Sequence, residues 1–324
     1  EEQINVFSLN HVGEVNTGIF MKDGFFYLVN GESQKIMELN SYGEVLTLFY
    51  NEDSLTKELL DNSGDVERSI HREIAFPFGY TGQISVDSAK CMYVVCTIPR
   101  DRQELSENGN LLYCQTILRI HRNGSQIDYI GQQGPGGTPF PYIRNIFTTE
   151  KDELVVVSSA ENGLMVYWFG KDGFFKYMIP VSVSDCPKIS GIDEDSDVFL
   201  TVENIVPDYN DYKLYVKIDN YSSYSDKASN AQSGIRYINT LLYPIDIETA
   251  LYGNPVSIPP YEESVTVDFS KLTYKLPYDF LGVTKNGWKF FVVSTTSGFD
   301  VEMIQTETQK VLHRHFDVNR ENVL

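Results

Sequence analysis

The sequence lacks two features that define large classes of protein. It has no apolar run of about eighteen or more residues, which a transmembrane helix requires. It has only four cysteines, Cys91, Cys96, Cys114 and Cys186, which are too few for a disulfide scaffold and lack the spacing of a zinc site. Two core thiols at Cys96 and Cys114 are favoured because free cysteine is often buried, and a disulfide between them across a hairpin stays open.

Positive charge is also scarce. The 324 residues include 26 Lys and Arg against 45 Asp and Glu, so the net charge is -19. A nucleic-acid-binding surface needs a basic patch that neutralises phosphates, and nucleic acid is therefore excluded as a partner. Direct adsorption to an anionic membrane is disfavoured for the same reason. The acidic surface is interpreted as a means of keeping an aromatic-rich chain soluble.

Aromatic residues are abundant, and they recur in one pattern. They make up 13% of the chain, with 21 Tyr and 19 Phe, a composition that favours strands. An apolar anchor, a short polar turn and a strand-like run recur along the chain. One such module cannot bury both of its faces alone, so its repetition indicates a radial or solenoidal β architecture. The copies are Gly18–Val29, Gln83–Val95, Asn145–Val157, Gly191–Val202 and Phe280–Val293.

Each copy is followed by two further strand-like runs, and four strands per repeat is the pattern of a propeller blade. Turns at Tyr42-Gly43, Asn123-Gly124 and Asp172-Gly173 separate the last two strands of the first three repeats. The sequence therefore predicts an all-β fold, with residues 1–324 forming a single β-propeller domain of five four-stranded blades. A degenerate sixth blade stays open. The predicted blades are 15–51, 72–133, 141–183, 188–260 and 272–319.

Two segments lie outside this rhythm. Residues 4–10, INVFSLN, alternate between apolar and polar side chains and are predicted to close the ring by pairing into the last blade. Residues 51–69 have helix formers between polar ends, which predicts a short surface helix or a mobile insert.

The repeats resemble the NHL and YWTD class of propeller repeats, in which an apolar anchor, an Asp/Asn/Gly turn and a strand recur. Gly24–Val45 and Ile130–Ser159 resemble, more narrowly, a family of predicted lipoproteins of spirochaetes, mainly treponemal and leptospiral. The resemblance implies a lipidated cysteine upstream of residue 1 and a lipid-anchored chain on the periplasmic side or surface of a bacterial envelope. It brings no assigned catalytic residues, and the amino terminus here carries no cysteine.

Asp193, Asp195 and Asp197 have the alternate spacing with which carboxylates converge on Ca²⁺. The segment lacks the Gly and the final acid of an EF-hand loop, because Val198 and Asn204 stand at those positions. It also coincides with a hairpin turn of the repeat, where Asp is favoured for local hydrogen bonds. A turn is the preferred interpretation, and a calcium site is the alternative.

His313, His315 and Asp317 alternate along a predicted outer strand and so share one face. They could begin a zinc or copper site. Successive ligands on one strand stand almost parallel, about 7 Å apart, and seldom converge on one ion. A solvated edge-strand face is therefore the favoured interpretation.

The sequence contains no recognisable motif for nucleophilic or phosphate chemistry. It has no Gly-x-Ser-x-Gly elbow, and no cysteine lies in an electropositive context. Gly131, Gly134 and Gly137 lack the Lys and the strand-to-helix context of a phosphate loop, and they are interpreted as a turn. Any base that serves a serine would have to come from elsewhere in the fold.

Tyrosines crowd the fourth repeat, where a long excursion separates its strands. Aromatic rings on a loop can recognise sugar or protein, so these side chains are the best candidates for ligand binding. Their spacing also suits a long twisted hairpin that packs on its own blade. The candidates are Tyr209, Tyr212, Tyr215, Tyr221 and Tyr224.

These features favour a non-catalytic binding or scaffold protein that engages an envelope protein or glycan through loops at one end of the ring. This hypothesis requires no cofactor. The alternative is a metal-assisted hydrolase or lyase, with acids from several blades gathered in the central channel. Ca²⁺ is the metal that the aspartate spacing would favour.

Overall fold

The structure is a computed structural model whose described residues fall into two compact units. Unit 1 comprises Glu1–Ala160 and Met165–Met178, and unit 2 comprises Glu161–Leu164 and Ile179–Leu324. The predicted closing strand at 4–10 lies outside the described residues, as does most of the predicted insert at 51–69. The described residues are 17–31, 33–53, 70–79, 81–98, 104–105, 111–189, 198–226, 231–267 and 270–318.

Unit 1 contains two five-stranded sheets. The first has the order β1-β2-β3-β4-β5 and the second the order β12-β11-β10-β7-β6. The strands of the first sheet are β1 Thr17–Lys22, β2 Phe25–Asn30, β3 Lys35–Leu39, β4 Val45–Tyr50 and β5 Arg72–Ala75. Those of the second are β6 Thr81–Val86, β7 Met92–Thr97, β10 Gln115–Ile120, β11 Gln126–Gly131 and β12 Gly134–Pro135. A separate hairpin joins β8 Glu104–Leu105 to β9 Leu111–Tyr113.

A third sheet has most of its residues in unit 1. Its order is β13-β14-β15-β16, with consecutive strands as neighbours. Within unit 1 the first strands of successive sheets pack together, since β1 contacts β6 and β6 contacts β13. The strands of the third sheet are β13 Ile143–Thr148, β14 Leu154–Ala160, β15 Gly163–Phe169 and β16 Phe175–Ser182.

Unit 2 contains the fourth and fifth sheets, each of four strands in sequential order. Their first strands, β17 and β23, pack against each other. A 3₁₀ turn at Val183–Asp185 precedes them. The fourth sheet has β17 Val198–Pro207, β18 Lys213–Asp226, β19 Ala231–Asp246 and β20 Val256–Ile258. The fifth has β23 Asp279–Val283, β24 Trp288–Ser294, β25 Gly298–Gln305 and β26 Lys310–Asp317. The hairpin β21 Tyr261–Val267 and β22 Ser270–Leu276 lies between them in sequence.

The predicted fold class is confirmed, because the described residues are all-β and form five blade sheets of four or five strands. The predicted turns are confirmed as well: Asn123-Gly124 joins β10 to β11, and Asp172-Gly173 joins β15 to β16. Both glycines have a positive φ, as such hairpin turns require.

One strand lies in a different sheet from the sequence expectation. The sequence begins the second blade at residue 72, whereas Arg72–Ala75 forms β5 and pairs in parallel with β4 of the first sheet. A parallel partner cannot be joined by a tight turn, so the repeat pattern of hairpins carries no signal for it.

The cysteines are thiols. All four lie in the described part of the chain and form no disulfide, and Cys91, Cys96 and Cys186 are buried. Burial raises the pKa of Cys91 to about 12 and that of Cys96 to about 11. These are packing residues with little thiolate at neutral pH, as the sequence interpretation favoured.

The core of unit 1 lies between sheets and is rich in β-branched and aromatic side chains. Leu154, Val156 and Ile117 are completely buried in it. Phe140, also completely buried, meets Tyr167 edge to face at 5.1 Å between ring centroids. Full burial of these side chains makes the apolar runs of the repeats the main source of stability.

Two glycines recur at equivalent places in the third and fifth sheets. Gly163 and Gly298 each begin the third strand of their sheet, β15 and β25, with φ of 151° and 159°. A Cβ at Gly163 would collide with the carbonyl oxygen of Val181, and one at Gly298 with that of Phe316. The fourth strand therefore approaches so closely that only hydrogen fits in place of a side chain.

Leu154→Ala is expected to lower the free energy of unfolding by about 2–5 kcal/mol, because Leu154 is completely buried and truncation leaves a cavity. The matched control is Leu251→Ala, where the side chain is 68% exposed and the expected change is within about 0.5 kcal/mol. Urea denaturation measures both. Equal losses from the two variants would contradict the assignment of the core.

Candidate functional sites

The predicted tyrosines lie at two places along the fourth sheet. Tyr209 and Tyr212 are in the turn between β17 and β18, and Tyr215 follows near the start of β18. Tyr221 and Tyr224 lie further along β18. At about 3.3 Å per residue, Tyr221 is about 20 Å from Tyr215 along the strand. The structure therefore separates Tyr215 from Tyr221 and does not place them in one cluster.

Tyr215 is held in a contact between the fourth and fifth sheets of unit 2. Its hydroxyl donates to Asp208 Oδ2 at 3.1 Å, and Lys289 Nζ lies 4.4 Å from its ring centre. Lys289 is itself buried and also donates to Thr306 Oγ1 at 3.1 Å. Burial lowers the pKa of Lys289 and raises that of Tyr215. Tyr215 thus partners a buried cation and contributes to packing.

Tyr221 belongs to an aromatic ladder that consists of Phe199, Tyr221 and Tyr237. The three residues are direct neighbours on β17, β18 and β19. The rings of Phe199 and Tyr221 stack at 5.7 Å and 16°, and Tyr237 meets Tyr221 edge to face at 5.9 Å. Both arrangements are favourable ring geometries. The long twisted hairpin, rather than a loop, positions the ladder.

Beneath the ladder the same face of the sheet becomes polar and buried. Lys217 and Asp219 form an ion pair with both side chains 1% exposed. Thr240 Oγ1 donates to Asp219, and its hydroxyl lies 2.9 Å from the hydroxyl of Tyr237. Burial raises the pKa of Asp219, and Lys217 opposes the rise. Because each charge is paired, the network fixes the base of the ladder without leaving a buried charge unmatched.

The ladder continues into an exposed apolar patch. Phe199 is 39% exposed, and Ile235, which precedes Tyr237 by two residues on β19, is 68% exposed. Residues two apart on a strand share a face, so Ile235 extends the ladder along β19. An aromatic and aliphatic surface on a rigid sheet can bind a partner, but it offers no nucleophile or base within the ladder.

A second cluster lies on the fifth sheet and contains both histidines that the sequence singled out. Asp300 is buried, and its Oδ1 lies 2.8 Å from His313 Nε2 while its Oδ2 lies 3.2 Å from His315 Nδ1. The register explains the contacts, since Asp300 on β25 pairs with His315 on β26, and Glu302 pairs with His313. His315 Nε2 is also 3.2 Å from Asp317 Oδ1.

Glu302 is the unusual member of this cluster. It is buried, and its Oε1 has no hydrogen-bond partner among the described residues. Burial raises the pKa of Glu302, and His313 opposes the rise. Tyr278 is buried nearby, and the charges of Glu302 and Asp300 add to the burial that raises its pKa.

The connection from β24 to β25 brings a hydroxyl to the same place. Ser297 is exposed in the short segment 295–297, and its Oγ lies 3.3 Å from His315 Nε2. The close approach of β26 beneath Gly298, described above, holds the histidine strand against this turn. Val318 N–H donates to the carbonyl of Ser297 at 3.1 Å and fixes the two segments together.

Sequence reasoning named His313, His315 and Asp317 but missed Asp300, Glu302 and Ser297. A usable signal was present. The connection at 306–309 closes a hairpin in which Gln305 pairs with Lys310, and counting outward places Asp300 opposite His315. The solvated face predicted for the histidine strand is exposed over its whole length, but two of its side chains reach a buried carboxylate.

No group of three or more His, Cys, Asp or Glu among the described residues has an arrangement that could hold a metal ion. Asp193, Asp195 and Asp197 lie outside the described residues, so a calcium site there stays a prediction that metal analysis of the purified protein tests. Within the described part of the chain, no helix has the length and apolar character needed to cross a membrane.

No family model matches the sequence, and no curated protein matches it. Solved structures with a similar fold are β-propellers. A nidogen/laminin complex has a TM-score of 0.46 at 10% identity, covering 94% of this chain and 81% of that one. A PL25 ulvan lyase bound to -[GlcA(1-4)Rha3S]- has a TM-score of 0.41 at 10% identity, covering 91% of this chain and 69% of that one. A streptogramin B lyase has a TM-score of 0.37 at 12% identity, covering 97% of this chain and 87% of that one. At such distances the likeness concerns the fold alone.

Stability is expected to depend on pH through His315. The hydrogen bond to Asp300, followed by the charges of Asp300 and Asp317, raises the pKa of His315 above its ordinary 6.5. A raised pKa means that this stabilisation is complete below pH of about 6.5 and is lost as pH rises through the folded-state pKa.

The test compares melting temperatures of the wild type and His315→Gln between pH 5 and 9, where the difference is expected to shrink as pH rises. His71→Gln, which removes an exposed imidazole in unit 1, is the control. A wild-type advantage that stays constant across the range would contradict the assigned contact.

Proposed function

We propose that the chain is a binding or scaffold protein that engages a protein partner through the aromatic ladder. The observation that carries this proposal is the exposure of Phe199 and Ile235 beside Tyr221 and Tyr237 on one rigid face. Aromatic anchors at the centre of an apolar patch supply most of the energy in many protein interfaces. A preformed strand surface also avoids the entropy cost of ordering a loop on binding.

The composition of the patch favours a protein over a glycan. Phe199 and Ile235 offer no hydrogen-bonding group, and the Tyr237 hydroxyl is already engaged with Thr240. Asp219 and Lys217 are buried beneath the rings and paired with each other. A sugar presents hydroxyls on its rim that need polar partners, whereas an apolar protein surface does not.

The proposal includes a cellular location for the chain. The resemblance to spirochaetal predicted lipoproteins supports a chain that is held in the bacterial envelope by a lipid on a cysteine upstream of residue 1. Its partner would then be another protein of the envelope. Expression of the gene with its natural leader tests this. We expect the mature amino terminus, isolated from the envelope, to carry a lipidated cysteine, and an unmodified, freely soluble product would contradict the anchor.

The binding proposal predicts that a photo-reactive phenylalanine analogue at position 235 cross-links one defined protein in the cell envelope. Phe199→Ala and Tyr221→Ala should each weaken binding of that purified protein by about 30-fold, equivalent to about 2 kcal/mol, because they remove central anchors. Isothermal titration calorimetry measures the affinity.

The control places the same analogue at position 174, an exposed phenylalanine of unit 1, and uses Phe174→Ala for the affinity measurement. Equal cross-linking from positions 174 and 235 would contradict the proposal that the ladder is the binding surface. If the chain instead binds an envelope glycan and the ladder variants lose that binding, the same surface would be a glycan-binding site.

A further inference from the structure

Three residues of the fifth sheet form a connected chain of hydrogen-bonding groups. Ser297 Oγ lies 3.3 Å from His315 Nε2, and His315 Nδ1 lies 3.2 Å from Asp300 Oδ2. The order is hydroxyl, imidazole and carboxylate, with the two ring nitrogens facing different partners. Nucleophile and base contacts of this kind are often loose before substrate is bound.

We propose that Ser297, His315 and Asp300 form a hydrolase site that cleaves small acyl esters, with Ser297 as nucleophile and His315 as general base. The proposal goes beyond the binding role, since the site lies on a different sheet from the aromatic ladder. A positive result makes the chain an enzyme as well as a binding protein.

The burial of each group suits its role. Ser297 is exposed at a turn, where a substrate can reach it, and the His315 side chain is 36% exposed. The Asp300 side chain is only 3% exposed, so water does not compete strongly for its oxygens. A buried carboxylate that accepts from Nδ1 holds the imidazole in the tautomer whose Nε2 can accept a proton. Asp300 is thus a positioning residue.

The reaction balances with water as the only co-reactant. Ser297 Oγ forms a bond to the ester carbonyl carbon while its proton passes to His315 Nε2. The carbon–oxygen bond to the leaving alcohol then breaks, and His315 returns the proton to that alcohol. Water then attacks the acyl-serine while its proton passes to the same nitrogen. The bond between the carbonyl carbon and Ser297 Oγ breaks, His315 returns the proton to Oγ, and the carboxylic acid leaves.

The open position of Ser297 selects the class of substrate. A nucleophile on an exposed turn can reach an ester group that projects from a larger molecule. It is less suited to a small substrate that a pocket must enclose. The neighbouring surface is acidic, because Asp317 and Glu263 border the turn, and Glu263 accepts from Thr296 Oγ1 at 2.8 Å. A neutral acyl group such as acetyl, carried on an uncharged or cationic molecule, fits this surface best.

Asp317 competes with Ser297 for the same nitrogen. It lies 3.2 Å from His315 Nε2 and, with Asp300, raises the pKa of His315. The base works only when Nε2 is unprotonated, so activity should rise with pH through that pKa. Titratable groups from three elements surround the His315 imidazole. Strand β25 contributes Asp300 and Glu302, and β26 contributes His313 and Asp317. The β21–β22 hairpin and the segment after it contribute Tyr261, Glu263 and Tyr278.

The first experiment treats the full chain with diisopropyl fluorophosphate and maps the product by mass spectrometry. One phosphoryl group on Ser297 is expected, absent in Ser297→Ala and strongly reduced in His315→Gln. Ser294→Ala, which removes an exposed hydroxyl three residues away, is the matched control and should label normally. Far-ultraviolet circular dichroism and melting temperature confirm that each variant is folded.

The second experiment measures hydrolysis of p-nitrophenyl acetate against pH. Ser297→Ala and His315→Gln should lose roughly 100-fold or more of the rate, the scale of general-base catalysis. Asp317→Asn removes an anion beside Nε2, so its pH–rate profile should shift to lower pH with the plateau kept. Asp300→Asn should lower the plateau as well as shift the profile, which a purely structural role in a folded variant would not do.

Two results would overturn the proposal. One is the absence of both phosphorylation and ester hydrolysis in the folded wild type. The other is labelling or hydrolysis that survives in Ser297→Ala or is unchanged in His315→Gln, which would place the reactive group elsewhere. Neither result touches the binding proposal, because the ladder variants report on a different sheet.

Discussion

The antiparallel register of the fourth and fifth sheets is the constraint on which both candidate sites depend. Side chains alternate between faces, so a one-residue slip would move every member of a cluster to the opposite face. The pairing of Phe199 with Tyr221 and of Tyr221 with Tyr237 builds the ladder. The pairing of Asp300 with His315 sets a buried carboxylate against an exposed imidazole. Both arrangements depend on the backbone hydrogen bonds that join the paired strands.

The buried charges show how the sheets combine stability with polar function. Lys217 and Asp219 are fully withdrawn from water but satisfy each other and Thr240, so they hold one register of the long hairpin. Glu302 is different, because one of its buried oxygens has no partner among the described residues. Such a group costs free energy, and incomplete satisfaction of this kind is typical of sites that serve something other than packing.

Fold class was predictable because its signals are local. The alternating runs, the Asn123-Gly124 and Asp172-Gly173 turns and the aromatic content each act over a few residues. The sites were not predictable in the same way, because they join residues across strands. Tyr221 was named as an aromatic of the excursion, but its neighbours Phe199 and Tyr237 follow only from the pairing. His315 and Asp300 are fifteen positions apart, and β5 reaches its sheet by a parallel contact that no turn announces.

The two glycines that open β15 and β25 have a consequence for how the gene can vary. Gly163 and Gly298 sit at the ends of surface hairpins, where substitution is ordinarily tolerated, but a carbonyl of the adjoining strand fills the space that any larger residue would need. Surface position is therefore a poor guide to mutational tolerance here. In diverging homologues of this chain, glycine at these two positions would persist after the surrounding sequence had become unrecognisable, and it would mark how the third and fifth sheets align.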